Sequence, residues 1–455
     1  MEQTQTPKKI SGKKLFYIIY GSVMGLLLVA VLIAMIPLRN FLVRFQASRP
    51  EEKSKEIYET YFANPDWATL YEKAGIQDTE FEGVDEFVAF MEEKTAGKTL
   101  GFMETAAGLS DDHKYVVRAD NEKLATFKLV NTVTDPEELP NWTLGQIELA
   151  FERPYAVTVE KDPAHTVLVN GKALDGSYTV MKETTSAEEY LPLGVHGYRK
   201  DTQYAGTFLF EPTVTCTDEN GVDVPLTLGD DGVYRAEQPQ QEEMTEEQKK
   251  LAVNAAKVYA AYSVQRAGSY ELRKYYDPES QLYKDIISID LFTRDFNSYF
   301  FDEKNMVVTD YYRYSDTLYS IRVDLTFKVN LTTGNVKDFP SNRTYFFETK
   351  EDGKVLVVAA TNASVHDVKR QVRLDFTYDG KTESVFVDAD TKTVALPAVQ
   401  APAGQVLAGW ARKSVNAAGK TFMTMILTPG AGGFGVPSEE LTPMELVPVF
   451  EEEGV

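Results

Sequence analysis

The chain has 455 residues, enough for about three compact domains, and its 43% hydrophobic and 12% aromatic content excludes wholesale disorder. Its 47 Lys and Arg stand against 69 Asp and Glu, a net charge of −22 that repels phosphate backbones and argues against a nucleic-acid partner. One Cys and four scattered His (His113, His165, His196, His366) are too few for a zinc site or an intrachain disulfide, and no cofactor-binding motif is legible.

Residues 1–14 form a short basic tail, and residues 15–38 follow as 24 residues without a charge. As a helix that stretch measures roughly 36 Å, enough to cross a hydrocarbon layer of about 30 Å. It is too long for the apolar region of a cleaved signal peptide, and the exit from Arg39 to Arg44 offers no small-x-small site. The expectation is therefore an uncleaved single-pass anchor whose partner through 15–38 is the lipid bilayer. Lys8, Lys9, Lys13 and Lys14 precede the span, while Arg39, Arg44 and Arg49 follow it. The first 50 residues carry a net of +6 and the remaining 405 carry −28. The simplest topology leaves the basic tail in the cytoplasm and exports the acidic bulk.

Residues 51–150 read as an α+β domain. Helical spacing runs over Glu51–Phe62, after Pro65 and over Val84–Glu93, followed by alternating strand patterns at 99–106, 114–118, 124–130 and 142–151. Residues 151–240 change to short strands, including 177–181 and 207–210, with Asn170-Gly171 and Asn220-Gly221 as tight turns and a helical turn at 186–190. They read as a small β-sandwich. A polar linker at 238–243 leads to Thr245, Glu246, Glu247 and Gln248, the opening of a long capped helix. Residues 244–365 then repeat the order of helices followed by a meander. Helical material is expected at 270–276 and 288–301, and strands at 306–314, 318–331, 339–349 and 355–361. Residues 366–455 form a small β-module, with a Gly-rich loop at 429–435.

The final ~70 residues resemble one module of the internalin-type B-repeat of Gram-positive surface proteins. They share a Leu396-Pro397 pair, a Gly409-Trp410 pair and a closing strand from Thr442 to Leu446, with Leu407 and Val447 where the repeat usually carries aromatics. That resemblance implies an extracellular spacer or adhesion role. The element order of 51–150 and 244–365 resembles the cone of the nuclear transport factor 2 superfamily, which implies a helix packed on a curved sheet and often a cavity. The whole plan is similar to teicoplanin-resistance-associated envelope proteins of Firmicutes, which join one span to Ig-like β-domains and such a cone.

Chemistry is sparsely written. Residues 244–365 concentrate Tyr275, Tyr276, Tyr283, Phe292, Phe296, Tyr299, Phe300, Phe301, Tyr311, Tyr312, Tyr314 and Tyr319. Either these rings fill the gap between helices and sheet, or some of them, with Tyr276, Tyr299, Tyr312 and Tyr314 as the candidates, line a mouth that binds a sugar or peptide. Asp310, Asp316, Asp324 and Glu348 alternate with apolar neighbours as solvated-face residues do. No Ser sits in a nucleophile elbow, and no Gly-rich run opens a helix. Cys216 reads as a small strand residue. Asp218-Glu219-Asn220 and Gly229-Asp230-Asp231-Gly232 read as solvated turns ahead of calcium loops. Asn141-Trp142-Thr143 and Asn342-Arg343-Thr344 match the glycosylation acceptor, which carries little weight in a bacterium. The expected function is a non-catalytic envelope protein with exported binding or spacer modules. Its partner would be a cell-wall polymer or another envelope protein. The alternative is a sensing or resistance accessory that captures a wall fragment or glycopeptide in a 244–365 cavity.

Overall fold

The computed structural model describes residues 12–105, 113–135, 138–238, 241–288, 296–415, 421–430, 433–435 and 440–452. Two compact units divide it: residues 1–155 with 207–211, and residues 156–206 with 212–455.

The first unit opens with helix α1 (Gly12–Ala47), none of whose residues is buried. Only Ser48 and Arg49 separate it from α2 (Pro50–Tyr61), whose Pro sits in the first turn, where a missing N–H costs nothing. Two further helices, α3 (Trp67–Lys73) and α4 (Val84–Thr95), follow; Asp66 caps α3 by accepting the Thr69 N–H at 3.2 Å. Strands β1 (Leu100–Glu104), β2 (His113–Ala119), β3 (Glu122–Asn131) and β4 (Trp142–Leu149) form one antiparallel sheet in that order. Ile57, Leu70, Phe87 and Met91 from the helices, with Phe62 just after α2, close against Tyr115, Val117, Phe127, Leu129 and Ile147 from the sheet.

One part of this core arrives from far along the chain. Thr207–Phe210 reads in sequence as a strand of the second module, yet residues 207–211 belong to the first unit. Leu209 is buried in that unit's core, and its N–H donates to Glu82 Oε1 at 2.7 Å. Glu82 is itself buried and receives Arg153 Nε at 3.3 Å, so a backbone dipole and a guanidinium share one carboxylate.

In the second unit, the opening strands are β5 (Tyr155–Lys161), β6 (Thr166–Val169), β7 (Lys172–Ala173), β8 (Thr179–Thr185), β9 (Arg199–Phe208), β10 (Val214–Thr217), β11 (Leu226–Leu228) and β12 (Val233–Ala236). Asn170 and Gly171 adopt φ of 52° and 79°, the pair of left-handed residues that a two-residue hairpin between β6 and β7 requires. A 3₁₀ turn occupies Ser186–Tyr190. Helix α5 (Glu246–Ser263) starts at a capping box in which Thr245 and Gln248 exchange hydrogen bonds with each other's backbone. After α6 (Ser269–Leu272) and α7 (Gln281–Ser288) come β13 (Phe296–Phe301), β14 (Val307–Arg313), β15 (Leu318–Leu331), β16 (Val336–Thr349) and β17 (Val355–Thr361). These five form one sheet, with β13 and β14 sharing the same side of β15. The last strands are β18 (Val368–Tyr378), β19 (Lys381–Asp388), β20 (Thr393–Val394), β21 (Gln405–Val415), β22 (Thr421–Gly430), β23 (Gly433–Gly435) and β24 (Met444–Glu452).

Two features differ from the sequence reading. The helix expected at 288–301 is a strand from Phe296 onward, antiparallel to β15. A register shift between Phe296 and Ser298 brings Phe296, Tyr299 and Phe301 onto the same core, and this three-residue step imitates helical spacing. The stretches 151–240 and 366–455, read as separate modules, also share one twelve-stranded sheet ordered β11-β12-β5-β9-β8-β18-β24-β21-β22-β23-β20, with β19 paired to β18. Beside it, β10-β6-β7 forms a small sheet. Trp410 is fully buried in this region, edge-on to Phe376 at 4.8 Å and to Tyr378 at 5.7 Å.

The two units have separate cores, centred on Phe127 in one and Phe347 in the other, each fully buried. Phe127→Ala and Phe347→Ala should each cost about 3–5 kcal/mol. Scanning calorimetry of the purified chain should show each variant lowering a different transition. A common transition shifted equally by both would contradict the two-core reading.

Candidate functional site

Helix α1 is long and apolar enough to cross a membrane. Its apolar side chains stay about half exposed, Leu26 at 72% and Ile33 at 62% among them. Fourteen Leu, Ile, Phe and Val lie between residues 15 and 38. At roughly −0.3 to −0.6 kcal/mol each they favour insertion by about 4–8 kcal/mol.

The four candidate tyrosines do not converge. Tyr276 is fully buried in the core between α5 and the five-stranded sheet, and its hydroxyl donates to Ala255 O at 3.0 Å. Burial drives its phenol pKa well above the ordinary value. Tyr299 packs against the same core, edge-on to Phe301 at 5.7 Å. Tyr312 and Tyr314 lie on the opposite face, paired with each other at 4.9 Å, with Tyr314 stacked on Phe346 at 5.9 Å. Ala187, Leu191 and Val365 complete that second cluster.

Strand alternation draws the division. Tyr345 and Phe347 point to one core and Phe346 to the other, just as Tyr311 separates from Tyr312 and Tyr314. Burial also raises the pKa of Tyr312 and Tyr314, and it pushes Tyr319 on the inner face up to about 12. Tyr275, Tyr283, Phe296, Phe301, Tyr311 and Tyr319 join the inner core, Phe300 is exposed, and Phe292 lies outside the described residues. The described rings, Phe300 apart, thus pack into two clusters on opposite faces of the sheet.

The acidic candidates are each occupied. Asp316 meets Arg313 at 2.8 Å, Asp324 meets Arg322 at 3.0 Å, and Lys350 bridges Glu348 and Asp277. Asp310 sits at φ 54°, within a register shift of β14, where it accepts the Ser364 hydroxyl and lies 3.5 Å from His366 Nε2. Acyl transfer needs the hydroxyl on the imidazole and the imidazole on the carboxylate. Here the hydroxyl is spent on the carboxylate, and His366 is largely exposed.

Lys161, 4% exposed, donates to the carbonyls of Asp162, Pro163 and His165 at 3.1, 3.2 and 2.6 Å; it ties a turn, with its pKa lowered by burial. Cys216 is buried beside it, and desolvation raises its thiol pKa. The acidic turns are closed by their own chain. Asp218 accepts the N–H groups of Asn220 and Val222 at 2.9 and 2.8 Å. Asp231 receives both terminal nitrogens of Arg235, which lowers its pKa to about 2. Among the described residues no group of three or more His, Cys, Asp or Glu is placed to hold a metal.

A recess that sequence reasoning missed lies in the first unit, a cleft of about 800 Å³ walled by Phe90, Phe151 and Phe210. At its rim Glu122 binds Lys94 at 2.9 Å and Lys98 at 3.0 Å. No local signal marks it, because its walls come from positions up to 120 residues apart.

No protein-family model and no curated protein matches the chain. Among solved structures it is similar to an NTF2-like protein involved in plasmid conjugation, at 10% identity over 60% of this chain and 83% of the other, with a TM-score of 0.19. It is also similar to the helical cell shape determining protein Pgp2 from Campylobacter jejuni, at 12% identity over 60% of this chain and 98% of the other, with a TM-score of 0.23. At those TM-scores neither fold nor activity transfers to the present chain. Its own elements define a mixed helical and multi-sheet β protein with, among the described residues, one helix near the amino end long and apolar enough to span a membrane.

Hydrogen bonds from Lys94 and then Lys98 hold the Glu122 pKa below its ordinary 4.5. A carboxylate with a depressed folded pKa adds stability above its unfolded pKa, and that stability is lost as pH falls through the folded value. Glu122 is half exposed, so Glu122→Gln should cost under about 1 kcal/mol at neutral pH. Denaturant titrations should show the difference closing below pH 4.5. A cost that persists in acid would show that the side chain acts through packing.

Proposed function

We propose that the chain is a single-pass membrane protein of a bacterial envelope whose exported modules act, without catalysis, as spacers or binding units. The observation that carries this reading is α1, a helix of 36 residues with no buried position. Left in water it would expose a continuous apolar surface far larger than soluble monomers tolerate. The charge asymmetry supports the orientation, with the basic tail in the cytoplasm and the acidic bulk outside. The resemblances to teicoplanin-resistance-associated proteins and to the B-repeat point to a Gram-positive surface, with a cell-wall polymer or a second envelope protein as partner. Spacing is favoured over capture in the 244–365 module because Tyr276, Tyr345 and Phe347 fill its interior.

Protease treatment of intact cells tests the orientation. The expected result is loss of the folded portion from whole cells, with a short membrane-protected fragment left behind. Survival of that portion in intact cells, with digestion only after lysis, would overturn the export and wall-facing parts of the reading.

A further inference from the structure

The most informative unexplained stretch is the last part of α1. The charge-free run ends at Leu38, yet the helix continues for nine residues to Ala47. This extension is still greasy, with Phe41 54% exposed, Val43 59% and Phe45 48%. It also carries Arg39 and Arg44, for which no ion pair is seen among the described residues. The seven residues from Arg39 to Phe45 add roughly 10 Å of helix beyond the charge-free run. One headgroup layer is about 5–8 Å deep, half the difference between a whole bilayer of about 40–45 Å and its hydrocarbon core of about 30 Å. Arg39 and Arg44 therefore stand at headgroup depth when 15–38 spans.

The connection to the folded unit is short and ordered. Ser48 N–H donates to Arg44 O at 2.9 Å, and its hydroxyl donates to Phe45 O at 2.8 Å. The Ser48 carbonyl accepts the Trp142 indole N–H at 2.9 Å, which links the helix end to β4. A unit joined by two residues and latched by an indole has no tether with which to leave the surface. The neighbouring helix α2 supplies little attraction of its own. Its Lys53 and Lys55 are paired to Glu56 and Glu59 at 2.8 and 3.9 Å, and Glu52 stands beside them.

We propose that Arg39 and Arg44 form a collar that binds the phosphates of anionic phospholipids in the leaflet where the chain emerges, seating the first unit directly on the bilayer. The two arginines carry the charge complementarity, since the remaining 405 residues total −28 and are repelled by such lipids. The proposal rests on the anchor reading above, and the test separates the two.

The full chain is reconstituted into nanodiscs of phosphatidylcholine, alone or with an equal part of phosphatidylglycerol. Lipid retained by the chain on release from the discs is counted by native mass spectrometry. Phosphatidylglycerol should be retained preferentially, and the double variant R39Q/R44Q should weaken that preference roughly 30-fold. In discs carrying a nitroxide-headgroup lipid, part of the tryptophan emission should be quenched, and W142F should remove that part. A chain that enters the discs but shows no phosphatidylglycerol preference, or keeps it in R39Q/R44Q, overturns the collar alone. Absence of quenching overturns the seated unit. A chain that never enters the discs overturns the anchor reading and the collar with it.

Discussion

The hydrophobic surface of α1 is the constraint on which the other features depend. Among the described residues nothing buries any position of this 36-residue helix, and water is a poor partner for its apolar surface. A bilayer would satisfy it at every depth. Its backbone hydrogen bonds close within the segment, and across a bilayer its apolar side chains would meet hydrocarbon while Arg39 and Arg44 would fall at headgroup depth. Pro37 lies inside the helix near that boundary, and lipid-embedded helices tolerate such a residue better than soluble ones do.

Beyond α1, the molecule invests its aromatic residues in packing. The first unit stacks Phe127 on Phe62 at 5.6 Å and on Tyr115 at 5.2 Å. In the second unit one sheet is covered on both faces, by α5 and its neighbours within and by the Ser186–Tyr190 turn without. Burying a tyrosine is tolerable when its hydroxyl finds a carbonyl, as Tyr276 does with Ala255. Charged side chains follow the same logic. Glu183 is buried yet meets Lys200 at 3.0 Å and Arg370 at 2.9 Å, and this joins β8, β9 and β18 across the long sheet.

Local chemistry was readable where a few neighbouring residues decide the backbone. Thr245 with Gln248 marked a helix start, Asn170-Gly171 a hairpin, and the turn at 186–190 and the strand 318–331 fell where patterning placed them. The misreadings share a cause. A bulge at Phe296–Ser298 gave a strand the spacing of a helix. Leu209 left its own neighbourhood to complete a core more than a hundred residues away. The parallel pairings of β5 with β12 and of β18 with β24, like the register of β8 on β18, are long-range choices with no local signature. For the candidate site, composition located the aromatic cluster. The division between two faces was not drawn from sequence, although period-two alternation in Tyr311-Tyr312 and Tyr345-Phe346-Phe347 carries it.

An anchor requires that the apolar helix remain part of the mature chain and stay in lipid. Alkaline carbonate washing of isolated membranes, followed by intact-mass measurement of the protein in each fraction, addresses both points at once. The expected outcome is protein in the washed membrane pellet at a mass that includes residues 15–38. Folded protein in the wash, with a new amino terminus just beyond Leu38, would contradict it.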